Sequence, residues 1–324
     1  EQQIQLTQPT LIGFSVPFPG NLFSALRCAQ WIRTHHPHIH VLMGGGFPNT
    51  ELRSLKEKKI FDYVHFITLD DGEKPLERLL DYLEGDSDLS KLKRTYLLQE
   101  DALCYCNDSP EKDYAFHETA TPDYHGLHLN RYLSFIETPN PMHRLWQDGH
   151  WLKLTMAHGC YWKQCTFCDI HLDYISRYEP LQASLLCDRM EQLIAQTGEH
   201  GFHFVDEAAP PQVMKQLALE ILRRGLQVSW WTNIRFEKGF GRDLCMLLKA
   251  SGCIGVSGGL EVASDRILAL IRKGVTISQA ASVMQNFSYA GIPVHAYLMY
   301  GFPTQRDQET IDSLEWVRQF FQRG

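Results

Sequence analysis

Residues 152–169 read LKLTMAHGCYWKQCTFCD. The first five residues alternate apolar and polar side chains, which is the pattern of a β-strand with one buried face. Three cysteines come soon after, Cys160, Cys165 and Cys168, separated by four and then two residues. Enzymes built from parallel strands place their chemistry at the carboxyl ends of those strands. The stretch therefore predicts a strand that delivers three thiols to that edge of a parallel sheet.

The three thiols have two interpretations as a metal site. They are one too few for a tetrahedral zinc site, but His171, or else His158, would complete a Cys₃His set. A [4Fe–4S] cluster normally takes four thiolates, and three would leave one iron open to a small-molecule ligand. The spacing alone favours neither interpretation.

A run of strand–helix units continues after the cysteines and predicts a parallel sheet. Strands are expected at residues 152–156, 202–205, 228–232, 254–257 and 294–299. Helices are expected at residues 184–196, 211–224, 242–250, 265–272, 278–290 and 308–321. Five units in one run favour a curved, barrel-like sheet. Polar residues follow the later strands: Asp206, Glu207, Asn233, Arg235, Glu261 and Tyr300.

The first part of the chain also alternates strands and helices. Strands are expected at residues 11–16, 39–43 and 63–68, and a helix capped by Thr50 is expected to run to residue 59. This order predicts a Rossmann-like parallel sheet covered by helices. Residues 86–150 contain polar and proline-bearing pieces and are predicted to form an irregular linker or cap. The predicted domains are therefore 1–85, 86–150 and 151–324.

Composition narrows the functional class. The net charge of −7 supplies no strong basic field for nucleic acid. No apolar run approaches the roughly 18 residues of a membrane span, and the N-terminus has no signal-peptide pattern, so a cytoplasmic protein is expected. Clustered cysteines in such a chain indicate metal binding or catalysis rather than disulfides. Cys104 and Cys106 are too few to hold a second cluster, and no role is predicted for them.

The cysteine stretch and the turns after it resemble the radical S-adenosylmethionine (radical SAM) enzymes. The matching turns are FVDE at 204–207, TNIRFE at 232–237, GGLEVASDRILALIRKGVT at 258–276 and AGIPVHAYLMYGFPTQRDQET at 290–310. The usual family spacing is three and then two residues between the cysteines, whereas this chain has four and then two. The resemblance covers about residues 150–324 and favours the iron–sulfur interpretation over zinc.

The resemblance implies a partial TIM-type barrel with a [4Fe–4S] cluster on Cys160, Cys165 and Cys168. S-adenosylmethionine (SAM) would chelate the open iron through its amino and carboxylate groups. Four residues are implied to bind SAM: Phe167 beside the adenine, Glu261 at the ribose hydroxyls, Arg235 at the methionine carboxylate, and Glu207 at the rim. An electron donor such as flavodoxin or ferredoxin is the implied partner, together with a small-molecule or peptide substrate.

The first domain resembles the cobalamin-binding domain that often precedes this barrel. The matching pieces are LIGFSVPFPGN, VLMGGGFPNTEL and FDYVHFITLDDGEKPLERLL, and TPDYHGLHLNRYL at 121–133 resembles the connector. The loops that would approach the corrin or its nucleotide tail contain Ser15, Gly44, Gly45, Gly46 and Glu73. The lower-ligand motif D-x-H-x-x-G is absent. The chain begins at the second strand of this domain and ends before a sixth barrel strand, so both domains are expected to be truncated.

Three functions stay open at this point. The first is a cobalamin-dependent radical SAM methyltransferase that acts on an unknown substrate. The second is a radical SAM rearrangement enzyme or other carbon-radical oxidoreductase without bound cobalamin. The third is a zinc-stabilised α/β binding protein that uses Cys160, Cys165, Cys168 and His171 as structural ligands.

Overall fold

A computed structural model describes residues 1–131 and 151–323. The chain divides into two compact units, Glu1–Tyr114 and Ala115–Gly324. The predicted linker at 86–150 therefore contributes to both units, and its residues 132–150 lie outside the described part.

The first unit is a five-stranded sheet in the order β1-β2-β3-β4-β5. Its strands are β1 (Leu11–Ser15), β2 (His40–Gly44), β3 (Phe66–Thr68), β4 (Thr95–Gln99) and β5 (Ala102–Cys106). Its helices are Gln2–Thr7, Pro19–His35, Gly46–Glu51 and Glu73–Glu84, with 3₁₀ turns at Lys58–Asp62 and Leu89–Lys91. Strands β1, β2 and β3 are parallel, as the sequence predicts, and Ser15 pairs with Gly44 where β1 and β2 end.

Two predictions for this unit were wrong. Residues 95–106, expected to be irregular, form an antiparallel hairpin of β4 and β5. Its two-residue turn, Glu100 and Asp101, has positive φ at both positions (48° and 64°), as a type I′ turn requires. The helix expected to run from Thr50 to residue 59 instead spans Gly46–Glu51. It begins directly after the glycines, so only its last residues overlap the expected range.

The second unit contains an open sheet of five parallel strands in the order β6-β9-β10-β11-β12. The strands of this unit are β6 (Leu152–Leu154), β7 (Ala157–His158), β8 (Glu179–Pro180), β9 (Gly201–Phe204), β10 (Ser229–Ile234), β11 (Cys253–Glu261) and β12 (Val294–Leu298). Its helices are Asp173–Ser176, Ala183–Thr197, Pro211–Arg224, Arg242–Ala250, Asp265–Leu270, Ile277–Tyr289 and Asp307–Arg323, and 3₁₀ turns lie at Phe116–Glu118 and Leu129–Arg131. The five predicted strand–helix units are confirmed. Within the described residues β6 and β12 are the outer strands, so no closed barrel forms there.

Side chains alternate between the two faces of the second sheet, as strand geometry dictates. Phe202, Phe204 and Trp230 are fully buried in the core that the sheet forms with the flanking helices. The intervening His203 and Trp231 point to the opposite face, where their rings stack with centroids 3.5 Å apart. These two side chains therefore lie on the face opposite to that of Phe202, Phe204 and Trp230.

None of the helices in the described ranges has the length and apolar character that a membrane crossing needs.

Candidate functional site

The buried carboxylate of Asp206 holds the backbone just before the cysteine loop. Asp206 follows β9 and is only 2% exposed. Its Oδ1 and Oδ2 accept hydrogen bonds from the backbone N–H of Met156 (3.1 and 3.0 Å), and Oδ1 also accepts from Ala157 N–H (2.9 Å). Burial raises the pKa of Asp206 to about 7, although these backbone donors act to lower it. Asp206 thereby ties the segment after β6 to the end of β9.

The four-residue gap between the first two cysteines is accommodated at Trp162 and Lys163. Lys163 adopts a left-handed backbone (φ 51°), and its Nζ donates to the backbone oxygen of Ser176. The Trp162 indole Nε1 donates to the backbone oxygen of Arg272 at 2.8 Å. A Cβ at Gly274 would lie 2.0 Å from the Trp162 ring, so only glycine fits beneath it. The wider loop is therefore held by the turn that follows Leu270.

The three cysteines of this loop are free thiols. Cys160 and Cys165 are half-buried and Cys168 is exposed. Burial raises the pKa of Cys165, while the charges of Lys273 and Arg235 act in the opposite direction. The pKa of Cys168 is likewise raised, first by desolvation and then by its neighbours, which include both other cysteines. Cations at Cys165 favour the thiolate, the form that binds metal.

Two of the residues predicted to bind SAM, Glu207 and Phe167, lie beside these thiols. Glu207 is exposed and sits close enough to Cys168 for its charge to raise the pKa of that thiol. Partial desolvation also raises the pKa of Glu207 itself. The Phe167 ring is 40% exposed, and Lys273 Nζ lies 5.7 Å from its centroid. The structure thus brings both predicted residues to the cysteine loop.

Glu261 is fixed by a lysine that sequence reasoning did not single out. Lys273 Nζ donates to Glu261 Oε1 at 2.6 Å, and the two side chains are only 8% and 13% exposed. Glu261 has a left-handed backbone (φ 63°) at an irregularity in the β11–β12 pairing. The only sequence signal for this lysine is its place in the quoted segment GGLEVASDRILALIRKGVT.

Arg235 is deeply buried beneath the cysteine loop, with 4% exposure. Its guanidinium carbon lies 4.0 Å from the centroid of the Trp162 ring and 5.6 Å from that of Tyr161. Nη2 donates to the backbone oxygen of Lys273. Nη1 lies 3.8 Å from Glu237 Oε2, which is too long for a hydrogen bond. Nε and Nη1 are buried and have no hydrogen-bond partner among the described residues.

A chain of polar contacts links the ends of neighbouring strands. Asn233 Nδ2 donates to the backbone oxygen of Asp206 at 3.1 Å. Ser257 Oγ donates to Asn233 Oδ1, and Tyr297 OH donates to Ser257 Oγ at 3.3 Å. The sequence indicated Asn233 by its place after a predicted strand. Ser257 and Tyr297 were missed because they lie inside strands, where only alternation between faces could have marked them.

The two histidines proposed for a zinc site differ in their surroundings. His158 Nδ1 donates to the backbone oxygen of Arg177 at 2.8 Å, and its Nε2 lies 3.4 Å from Arg177 Nη2. His171 is exposed, and its backbone N–H bonds to Asp169 Oδ1. Within residues 1–131 and 151–323 no group of three His, Cys, Asp or Glu side chains could hold one metal ion. A cluster does not need such convergence, since each thiolate binds a different iron.

The glycines predicted to approach a corrin are packed against their own chain. A Cβ at Gly45, whose φ is 103°, would lie 2.9 Å from the Val16 backbone nitrogen. A Cβ at Gly46 would lie 2.7 Å from the Pro17 backbone oxygen. Gly44 is more loosely confined, with its nearest neighbour at 3.1 Å. The close approach of the loops after β1 and β2 is therefore enough to explain why glycine stands here.

The two other residues predicted to contact cobalamin are exposed. Ser15 ends β1, and Glu73 opens the helix Glu73–Glu84. Ser15 lies at the carboxyl end of its parallel strand and Glu73 follows the carboxyl end of β3, the edge where sheets of this kind bind ligands. Contact with cobalamin at these positions stays a prediction.

Comparison with known proteins extends to both units. Over 320 residues the chain is 25% identical to an uncharacterized methyltransferase of Pyrococcus horikoshii. This alignment covers 97% of the chain and 65% of the relative. The structure of the cobalamin-dependent S-adenosylmethionine radical enzyme OxsB, with aqua-cobalamin and S-adenosylmethionine bound, matches with a TM-score of 0.75 and 18% identity. This match covers 98% of this chain and 44% of OxsB.

A second solved structure is similar to the same extent. The radical S-adenosylmethionine methyltransferase TsrM from Kitasatospora setae, with tryptophan substrate and a SAM analogue bound, matches with a TM-score of 0.72 and 18% identity. The match covers 98% of this chain and 62% of TsrM, so the chain spans only part of each of these relatives. These likenesses confirm the predicted α/β fold.

The family itself is identified by sequence. Residues 154–317, about half of the chain, match the family model described as the radical SAM superfamily. The matched range contains the cysteine loop, Asp206, Arg235, Glu261 and Lys273. The chain therefore belongs to the radical SAM superfamily.

Proposed function

We propose that the chain is the cofactor-binding part of a cobalamin-dependent radical SAM methyltransferase. The supporting observation is the extent of the likeness. A protein named as a methyltransferase aligns with 97% of the chain, and OxsB matches 98% of it, so the likeness includes the unit that precedes the barrel. Membership of the superfamily implies a [4Fe–4S] cluster and SAM as cofactors. Cobalamin is added by the proposal.

The cluster would be held by Cys160, Cys165 and Cys168. All three thiols are free and lie on one loop. Three protein thiolates leave one iron for the amino and carboxylate groups of SAM. When bound and reduced, the cluster supplies the electron that cleaves the sulfonium of SAM.

Three residues of the chain would orient SAM. Glu261 is held in one position by the 2.6 Å contact from Lys273, so its carboxylate is a fixed acceptor for ribose hydroxyls. Phe167 offers an exposed ring to the adenine, next to the third cysteine. Glu207 lies beside Cys168, where its carboxylate can accept from an amino group.

Cobalamin would bind at the carboxyl ends of β1, β2 and β3. This edge contains all five of the residues predicted for it: Ser15, Gly44, Gly45, Gly46 and Glu73. The D-x-H-x-x-G motif is absent from the sequence, so no histidine is assigned to the cobalt. The loop residues named above would hold the corrin.

The remaining participants are proposed by class. An electron donor such as flavodoxin or ferredoxin would reduce the cluster, since one electron must enter for each cleavage of SAM. The substrate is a small molecule or a peptide. The chain spans less than two thirds of its relatives, so the part that selects the substrate is not assigned here.

Cleavage of SAM tests the enzyme class. The anaerobically reconstituted protein, reduced with dithionite, should convert SAM to 5′-deoxyadenosine or to S-adenosylhomocysteine. Cys165→Ala should abolish both products because a cluster ligand is lost. Cys253→Ala is the matched control, since Cys253 is fully buried in the core and should leave both products unchanged. Product formation by Cys165→Ala would contradict the assignment of the cysteines.

Titration with hydroxocobalamin tests the cobalamin part. Saturable binding with a change in the visible spectrum of the cofactor, and S-adenosylhomocysteine formation that depends on added cobalamin, are the expected results. Two observations favour a second candidate function, which the same experiment tests. Contacts within the chain explain Gly44, Gly45 and Gly46, and the histidine motif is absent from the sequence. This second candidate is a radical rearrangement enzyme or other carbon-radical oxidoreductase without cobalamin. No binding, with 5′-deoxyadenosine as the product, would favour that candidate.

A further inference from the structure

Arg235, which follows β10, packs against Tyr161 and Trp162 of the cysteine loop. This position suits a role other than direct binding of a ligand. We propose that Arg235 is a fixed counter-charge to the cluster held by the cysteine loop, and that Trp162 is the positioning residue that keeps it there. The inference rests on the proposed function, because it concerns a cluster held by the three cysteines. It replaces the expectation that Arg235 binds the carboxylate of SAM.

The first argument is access. A carboxylate that pairs with arginine uses a fork of two N–H groups on the guanidinium edge. In Arg235, Nη2 already donates to the backbone oxygen of Lys273. Nε and Nη1 are sealed from solvent, and the side chain is 4% exposed. A SAM carboxylate would reach these nitrogens only if the Trp162 and Tyr161 rings moved away.

The second argument is charge. A buried guanidinium is costly unless an anion compensates it. Among the described residues the nearest carboxylate recorded is Glu237, whose oxygen is 3.8 Å from Nη1 and whose side chain is 25% exposed. Arg235 lies against Tyr161 and Trp162, which stand between Cys160 and Cys165, so a cluster bound to these cysteines would supply the missing negative charge. Lys273, the other cation near Cys165, is already paired with Glu261.

The third argument is what such a charge does to electron uptake. A [4Fe–4S]²⁺ core with three thiolates has one net negative charge, and uptake of one electron makes it two. A fixed cation beside a ligand therefore stabilises the reduced form more than the oxidised form. Arg235 would make the cluster easier to reduce by the electron donor, and it would do so without touching SAM.

Trp162 holds the cation in place through contacts that depend on the wider cysteine gap. Its ring stacks on the guanidinium at 4.0 Å, a cation–π contact that a planar guanidinium favours. Its Nε1 is bonded to the backbone oxygen of Arg272, and its ring fills the space above Gly274. The ring thus has a single position, which fixes the plane of Arg235.

The test is a potentiometric titration with dithionite, followed by electron paramagnetic resonance, on wild type, Arg235→Gln and Arg235→Lys. Wild-type iron content is measured first, so that failure of the proposed function is seen separately. Arg235→Gln should lower the ratio of reduced to oxidised cluster at a given potential by about tenfold, which is about 59 mV for one electron. Arg235→Lys, which keeps the charge, should shift the ratio less. The Kd of SAM, measured by equilibrium dialysis, should change less than about twofold.

An unchanged reduction potential of the cluster in Arg235→Gln, together with SAM binding weakened about tenfold or more, would overturn the proposal. That pattern is expected if Arg235 binds the carboxylate of SAM directly. If Arg235→Gln takes up no iron, Arg235→Lys decides. Iron uptake by the lysine variant supports a role for the charge, and loss of iron from both variants contradicts it.

Trp162 has its own comparison. Trp162→Ala should shift the potential in the same direction as Arg235→Gln, whereas Trp162→Phe, which keeps an aromatic face, should stay near wild type. Trp316→Ala is the matched control, since Trp316 lies on the exposed side of the helix Asp307–Arg323. A wild-type potential in Trp162→Ala would show that the ring does not position the cation.

Discussion

Replacing Asp206 with alanine tests the anchor of the cysteine loop. The change leaves the backbone N–H groups of Met156 and Ala157 without their acceptor. A buried donor that loses its partner costs about 1–3 kcal/mol. Two such donors predict that Asp206→Ala lowers the free energy of unfolding by about 2–6 kcal/mol when the wild-type carboxyl is protonated.

The loss of stability in Asp206→Ala should depend on pH. The raised pKa of Asp206 decides whether that loss grows or shrinks as pH rises. The folded-state pKa of Asp206 is about 7, against a usual value of 3.8, so the folded protein retains a proton that the unfolded chain releases. The wild type therefore loses stability from Asp206 as pH rises from about 4 to about 7, by about 4 kcal/mol in total. Above pH 7 this contribution is constant. Asp206→Ala lacks this pH-dependent contribution. The difference in free energy of unfolding between wild type and Asp206→Ala, here called the gap, should therefore shrink over that pH range.

Urea unfolding of both proteins at about pH 5 and about pH 8 measures the gap directly. Other carboxyl groups titrate equally in the two proteins, so the change in the difference reports Asp206 alone. Asp206→Asn keeps an acceptor and cannot ionise, so it should recover part of the lost stability and show no such pH dependence. Asp312→Ala, on an exposed helix, is the control and should differ little from wild type. A gap that stays constant with pH would refute this account of Asp206.

Two other changes test contacts around the cysteine loop. Gly274→Ala would place a Cβ 2.0 Å from the Trp162 ring, so it should lower the thermal unfolding temperature. The loss should be clearly greater than in Gly225→Ala, where φ is similarly positive but the Cβ would meet open space. Equal losses in the two variants would argue against close packing at Gly274. Lys273→Met leaves the carboxylate of Glu261 unpaired and should cost about 3 kcal/mol in urea unfolding, with much of it restored in Lys273→Arg; a wild-type value in the methionine variant would argue against this pair.

Much of the second unit could be predicted because its helices have local start and stop signals. The helix Pro211–Arg224 matches its predicted bounds, since Pro211 suits the first turn and Gly225 ends it in a left-handed conformation (φ 66°). The apolar residues between them recur at helical spacing and are buried. Signals of this kind need no knowledge of the rest of the fold.

The hairpin of β4 and β5 was missed because its turn has no such signal. Glu100 and Asp101 both adopt positive φ, yet neither is glycine or asparagine, the residues that usually mark a type I′ turn. The polar segments on either side also favoured an irregular interpretation. The hairpin also pairs with β3 through β4, a tertiary contact that the local sequence does not encode.

The candidate site shows the same division between local and tertiary information. The sequence indicated the three cysteines, Glu207, Arg235 and Glu261, and the family resemblance implied iron–sulfur and SAM chemistry for them. It could not indicate that Arg235 is buried, because that depends on the Trp162 ring, which belongs to a distant part of the chain. It also missed Lys273, whose contact with Glu261 depends on the left-handed backbone at Glu261.

The most direct test of the central claim, that three cysteines hold an iron–sulfur cluster, is the metal content of the anaerobically reconstituted protein. The wild type should contain about four irons and a similar amount of acid-labile sulfide per chain. The variant in which Cys160, Cys165 and Cys168 are all replaced by alanine should contain almost none. One zinc and no iron per wild-type chain would contradict the account.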